Sequence, residues 1–303
     1  LWLVGAAAVA AGLFIPPVSS SVRSIWPQVL PGHLRSTAYA LEASFQEIIF
    51  VVGPLLAGGL SAIEPGLAVA ATAAAALVGT LRLISLDPIR KAGSGTASGG
   101  GMLGALESPG LRTLVCFAVL IGLGFGVVEV AMPAFAEHQG VARAWGALAL
   151  TTFSAGSMIG GFLAGAIHSS DDRRRLLLAA PVLGLAMMLP LLGWSIASMC
   201  IVAFFAGLPI APTVAAVYGL VDDVSPRWAI AEAFAWFGTA VSLGIASGTA
   251  LGGAVVDLAG MHWTLALPPL LVLAGAGLVF LRRRTLSVRP RPSPAYAVAS
   301  PAE

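Results

Sequence analysis

Acidic side chains inside apolar segments are the residues of this chain that could do chemistry. Glu129 lies in the stretch GFGVVEVAMPAF, where a carboxyl group could bind a proton or a polar solute. Flexible and helix-breaking residues flank Glu129 and make its helix breakable, which is how transporters expose backbone to a cavity: Gly122, Gly124, Gly126 and Pro133. A structural acid bonded to a neighbouring helix is the alternative.

Arg23 and Glu47 are a second charged set, placed on two consecutive apolar segments. Glu47 lies 17 residues before Glu64, which predicts that Glu47 and Arg23 sit near the same membrane boundary. A salt bridge between them is therefore expected, and it could act as a gate. There are two alternatives. These residues could contact a ligand directly, or Arg23 could extend its side chain to the membrane interface without a partner.

A repeated segment places further polar residues together. Residues 12–31 and 207–226 are identical at seven of twenty positions, at a constant offset of 195. Prolines that interrupt corresponding helices are typical of a binding site between two related halves, although chance similarity in an Ala- and Gly-rich chain is an alternative. The predicted cavity residues are Pro16, Pro17 and Ser20 in the first copy and Pro209, Pro212, Thr213 and Tyr218 in the second. For each hydroxyl, a hydrogen bond to its own helix backbone is the alternative.

The composition indicates that lipid surrounds the elements that position these residues. The 303 residues are 58% hydrophobic and 10% charged, with mean hydropathy +0.93, too few charges to cover a globule in water. Alternation typical of a membrane barrel is missing, which leaves an all-α polytopic bundle. Nine spans are predicted, at residues 1–26, 37–61, 66–85, 112–136, 145–167, 175–193, 197–221, 229–256 and 262–281. The small-residue series in GSMIGGFLAG predicts close helix packing within them.

The basic residues predict the orientation. Fifteen of the sixteen Lys and Arg residues fall on one side of this arrangement, and only Arg143 lies on the other. Since basic loops stay in the cytoplasm, we expect a multi-pass protein of the cell membrane with a cytoplasmic C-terminus. The predicted organisation is a three-helix part over 1–86, a cytoplasmic linker over 87–111, a six-helix bundle over 112–284 and a disordered tail over 285–303.

The first residues, LWLVGAAAVAAG, carry no Met and no basic start. The repeat copies fall in spans one and seven, which predicts six helices per half and three further helices before residue 1. A cleaved signal peptide is the alternative.

With these features the chain resembles the major facilitator superfamily, whose members have two six-helix halves. VVGPLLAGG (51–59) is similar to that family's Gly-Pro signature in its fifth helix, and GFLAGAIHSSDDRRRL (161–176) to its cytoplasmic loop motif. Ile49 stands where the family's signature has a glycine, four residues before Gly53. Ala8 stands where some members carry an arginine in the fourth helix. The resemblance implies nine of twelve helices: the second half of the N-terminal bundle and the complete C-terminal bundle. It also implies that spans one, four and seven line a central cavity.

The sequence does not contain the residue patterns that other classes of function require. The one lysine, Lys91, has no phosphate-binding loop around it, and the four histidines lie at segment ends, away from any nucleophile or metal set. No enzyme activity, cofactor, metal or nucleic-acid partner is expected. We expect a monomeric permease that exports a small organic solute in exchange for protons. The alternatives are an uptake permease for a sugar or metabolite and, less strongly supported, a membrane receptor or intramembrane enzyme.

Overall fold

Helices make up all regular secondary structure in the residues that the computed structural model describes, 18–87, 103–166 and 171–287. Three short 3-10 turns join them, at Ala105–Glu107, Leu189–Leu192 and Arg227–Ala229. The ten α-helices are α1 Val18–Val29, α2 Gly32–Ile63, α3 Pro65–Ile84, α4 Pro109–His138, α5 Ala144–Ala166, α6 Asp172–Ala186, α7 Ile196–Gly207, α8 Ile210–Val224, α9 Ile230–Ala259 and α10 Met261–Leu281. The predicted all-α bundle is confirmed.

Seven helical segments of the described residues are long and apolar enough to cross a bilayer. They coincide with the third to ninth predicted spans. The first predicted span lies mostly outside the described residues, and the second corresponds to the 32-residue α2, which begins five residues earlier than expected, at Gly32. The seventh span is two helices, α7 and α8, interrupted at Leu208 and Pro209.

Local sequence signals set several of the helix starts. Pro65 and Pro109 occupy the first turns of α3 and α4, where the missing N–H has no helical partner to lose. Asp171 accepts a hydrogen bond from the Arg174 N–H at the start of α6, and Ser195 forms a capping box at the start of α7. These signals determine where the helices α3, α4, α6 and α7 begin.

The most extensive helix contact joins α4 to α9 and depends on glycine. A side chain on Gly122 or Gly126 would run into the backbone of α9, and one on Gly244 or Gly248 would run into the backbone of α4. The absence of side chains therefore lets the two backbones touch. α4 is continuous over Pro109–His138 in this structure, and these glycines serve close packing.

The predicted packing of the GSMIGGFLAG series is confirmed on α5. Gly156 and Gly160 lie against the backbone of Phe204 and Leu208, at the end of α7, while Gly161 faces Ser44 on α2. α5 is thus in contact with helices that precede it and follow it in the chain.

The repeat extends over three consecutive helices. At the offset of 195, α1 falls on α8, α2 falls on the Arg227–Ala229 turn and α9, and α3 falls on α10, with helix ends agreeing within a few residues. Equivalent helices also make equivalent contacts, because α1 packs on α9 as α8 packs on α2. The similarity in sequence is therefore accompanied by a similarity in arrangement.

One end of the bundle collects most of the basic side chains. Arg35, at the start of α2, bonds to Asp222 at the end of α8, and Gly110, at the start of α4, contacts Thr285 just after α10. We call this the basic end. Its basic residues include Arg35, Arg112, Arg173, Arg174, Arg175, Arg227, Arg282, Arg283 and Arg284.

Candidate functional site

Arg23 lies in a buried polar network between α1 and α2. It is only 5% exposed, and its Nε donates to Glu42 Oε1 at 2.8 Å while its Nη2 donates to Gln46 Oε1 at 3.1 Å. The indole Nε1 of Trp26 donates to the other Glu42 oxygen at 3.0 Å. A buried guanidinium needs this pairing, because an isolated charge there is costly.

The predicted Arg23–Glu47 salt bridge is wrong. The partner of Arg23 is Glu42. On a helix, residue 46 lies about 40° from residue 42, whereas residue 47 lies about 140° away, on another face. Arg23 therefore reaches the face with Glu42 and Gln46, and Glu47 is directed to a different helix.

Tyr218 on α8 completes the network from the other copy of the repeat. The Arg23 guanidinium carbon lies 4.0 Å above the centre of the Tyr218 ring, a cation–π contact. The Tyr218 hydroxyl donates to Gln46 Oε1 at 3.3 Å. Its ring also packs edge-on against Tyr39 and Phe234, so the polar contacts are enclosed by aromatic side chains.

Arg23 and Tyr218 occupy equivalent positions of the two repeat copies, at the offset of 195. Two equivalent residues that touch must lie close to the axis relating the copies. The network is therefore at the centre of the bundle, where the copies meet.

Glu47 faces α5. Ser157 is fully buried and donates to Glu47 Oε1 at 2.8 Å, with Ser154 as a second hydrogen-bonding partner. Glu47 lies 15 residues from the start of α2 and 16 from its end, which puts it about 22 Å from the basic end of that helix. The expectation that Glu47 lies near a membrane boundary stays a prediction, because α2, with 32 residues, is longer than a bilayer requires.

Glu129 is exposed on α4, 20 residues from the first residue of that helix. It has no hydrogen bond or ion pair with any described residue. The described structure does not bring it to the Arg23 network.

The predicted cavity hydroxyls differ in their surroundings. Thr213 is fully buried, and its hydroxyl donates to the Pro209 carbonyl of its own chain segment at 2.7 Å, which was the alternative interpretation. Ser20 is half-buried on α1. Pro209 stands at the interruption between α7 and α8, and Pro212 lies in the first turn of α8. Pro16 and Pro17 lie outside the described residues.

Arg35 and Asp222 form a contact that the sequence interpretation missed. Arg35 Nη1 donates to Asp222 Oδ2 at 3.2 Å, and Nη2 donates to the Pro27 carbonyl at 2.7 Å. Asp222 is 6% exposed, so this ion pair is largely shielded from water. Arg35 thus joins the ends of α1 and α8 at the basic end.

Glu42 and Gln46 were also missed. Their four-residue spacing on an otherwise apolar helix is the signal that could have identified them, because it puts both on one face.

The described residues contain no group of three His, Cys, Asp or Glu side chains that could hold a metal ion. A groove of about 650 Å³ opens between the start of α1 and α3, and its lining combines apolar residues with Ser19, Thr80, Arg82 and Ser85. It contains none of the candidate acids. The chemistry of the described chain is therefore that of paired charges and isolated carboxyl groups in apolar surroundings.

Comparisons with known proteins give a family and a fold. The family profile described as Major Facilitator Superfamily matches residues 114–302. No curated protein sequence matches the chain. Among solved structures, the chain is similar to the human organic anion transporter MFSD10 (TETRAN), with a TM-score of 0.63 and 17% sequence identity. The match covers 88% of this chain and 67% of that one.

Proposed function

The chain belongs to the major facilitator superfamily, a family of membrane transporters, and from this we propose that it is a secondary transporter that moves a small organic solute by alternating access. The observation that carries the proposal is the contact between Arg23 and Tyr218, equivalent residues of two related helix sets. Such a contact lies at the interface whose opening and closing would admit solute to a central site.

The proposed direction is efflux coupled to proton entry, by a monomer in the cell membrane. Glu129 is the proposed proton- or solute-binding residue, because it is a carboxyl group on a membrane helix with an exposed side chain and no described partner. Apolar residues dominate the spans, which favours a largely apolar solute. The similarity to MFSD10 adds organic anions to the solutes that should be tested.

The test is flux in proteoliposomes that contain the full-length protein and trapped pyranine, a pH indicator. Unlabelled solutes, including apolar amines and the organic anion fluorescein, are added one at a time under an imposed pH gradient. A solute that is transported with proton exchange changes the internal pH, and the sign of the change gives the direction. Folded protein with no solute-dependent change for any of them, and no solute uptake, would contradict the proposal.

Glu129→Gln tests the proposed residue. We expect solute-dependent pH changes to be lost while thermal unfolding is unchanged, because no described side chain depends on Glu129 for a bond. Glu137→Gln is the matched control: this acid lies near the end of the same helix and pairs with Arg143 at the surface, and its replacement should leave flux intact. Unchanged pH dependence of flux in Glu129→Gln would remove Glu129 from proton coupling.

A further inference from the structure

α2 and α5 pack along a line of facing small and polar residues, which we call the α2–α5 seam. Its facing pairs are Ala40 with Gly165, Ser44 with Gly161 and Glu47 with Ser157. Numbers rise along α2 as they fall along α5, so the two helices are antiparallel. Glu47 is the one acidic residue among these pairs.

The seam is closed on the side of Glu47 that faces the basic end. Towards the basic end, Ala40, Ala43 and Ser44 are buried, with exposures of 1%, 3% and 0%. Glu47 lies about halfway along α2.

The described partners of Glu47 are neutral hydroxyl groups. α5 carries no Asp, Glu, Lys, Arg or His over Ala144–Ala166. On the other helices packed against α2, the charged or titratable residues are Arg23 on α1, Arg82 on α3 and Tyr218, Asp222 and Asp223 on α8. Arg23 makes its ion pair with Glu42, and no ion pair joins any described cation to Glu47.

We propose that Glu47 and Ser157 form a protonation site in the α2–α5 seam, separate from Glu129. An ionised carboxylate among neutral groups between two packed helices is costly, whereas a carboxylic acid that accepts from Ser157 Oγ is not. In the closed seam Glu47 carries the proton. When α2 and α5 separate, the proton passes to water that enters between them, and the carboxylate is hydrated; it takes a proton back from water before the helices close.

This site would couple proton release to opening of the seam, and in that respect it rests on the proposed transport function. The presence of the proton itself does not depend on transport. It can therefore be measured on the protein without any solute.

The experiment is infrared difference spectroscopy of the full-length protein in nanodiscs at neutral pH, which detects the C=O stretch of protonated carboxyl groups. Glu47→Gln should lose one such band. Glu64→Gln, an exposed acid at the end of the same helix, and Glu129→Gln should retain it. Retention of all carboxylic bands in Glu47→Gln would overturn the proposal, and loss of the band only in Glu129→Gln would overturn it while leaving proton-coupled transport intact.

Ser157→Ala gives a second readout that a merely structural serine would not move. Ser157 donates to Glu47, so its removal should shift the same band to higher frequency as the C=O bond loses a hydrogen bond. An unshifted band in folded Ser157→Ala protein would count against the site.

Discussion

At the scale of single residues, Arg23 determines how three helices meet. Its guanidinium bonds to Glu42 and Gln46 on α2 and lies over the ring of Tyr218 on α8. Since the side chain is almost wholly buried, these contacts are not replaced by water when one of them is lost. The network therefore fixes α1 against both neighbours.

Charge reversal should identify the true partner of Arg23. Arg23→Glu leaves two facing carboxylates, and we expect the free energy of unfolding to fall by about 3 kcal/mol, as for other broken buried pairs. The double variant Arg23→Glu, Glu42→Arg should recover most of that loss. The measurement is thermal unfolding in detergent, together with solute-dependent flux once a solute is known.

The matched control combines Arg23→Glu with Glu47→Arg, which we expect to give no recovery. Recovery with Glu47, or an equal loss in both double variants, would contradict the arrangement of the network.

The sequence identified Arg23 and Tyr218 individually but not the set they form. Each was notable as a polar residue in an apolar segment. The choice between Glu42 and Glu47 depends on how α2 is rotated about its axis, and that rotation is set by packing against α5 and α8. Hydropathy contains little information about this rotation, because four helices pack against α2: α1, α3, α5 and α8.

At the scale of helices, the sequence predicted best the features that depend on residues close together in the chain. Lengths of apolar segments predicted most spans to within a few residues. The sequence interpretation assigned the glycines of α4 to bending, whereas the structure shows them in a helix contact. One helix sequence cannot distinguish these two roles, because the contact depends on which residues lie on the facing helix. Gly244 and Gly248 on α9 provide that second half of the signal.

Gly248→Ala tests the close crossing of α4 and α9. An added methyl group would meet the backbone of Leu123, which cannot move as a flexible side chain can. We expect a loss of about 1 to 3 kcal/mol in stability, typical of an overpacked contact. Thermal unfolding of the purified variant in detergent measures it.

Gly253→Ala is the control on the same helix, because a methyl group there meets no described atom within 4 Å. Equal effects of the two substitutions would mean that helix propensity, and not the crossing, determines the result.

At the scale of the whole molecule, the basic end defines the proposed topology. With Cys116 and Cys200 replaced by Ser, a single cysteine at Gly140, in the turn between α4 and α5, should react with a membrane-impermeant maleimide added to intact cells. A cysteine at Ser287, after α10, should react only after the membrane is opened, because basic ends face the cytoplasm. The reverse pattern would invert the orientation.

The Arg35–Asp222 contact at the basic end should hold the bundle closed there. It joins the start of α2 to the end of α8, two helices from opposite parts of the repeat, and a buried pair of this kind must separate if that end opens. We expect Asp222→Asn to shift the protein towards the open form by about 1 to 1.4 kcal/mol, which is about a fivefold to tenfold change in population. The readout is the maleimide reactivity of a cysteine at the buried position Ala43, in the cysteine-free background, with reagent on the basic side.

Glu137→Gln is the control for that shift, because it breaks the exposed Arg143–Glu137 pair at the other end of the bundle. A surface pair contributes little to stability, so reactivity at position 43 should not change. If Asp222→Asn leaves position 43 protected, or Glu137→Gln exposes it equally, the pair is a local helix-end contact and opening at the basic end is controlled elsewhere. Increased reactivity in Asp222→Asn alone would make separation of α2 from α8 the step that opens the basic end.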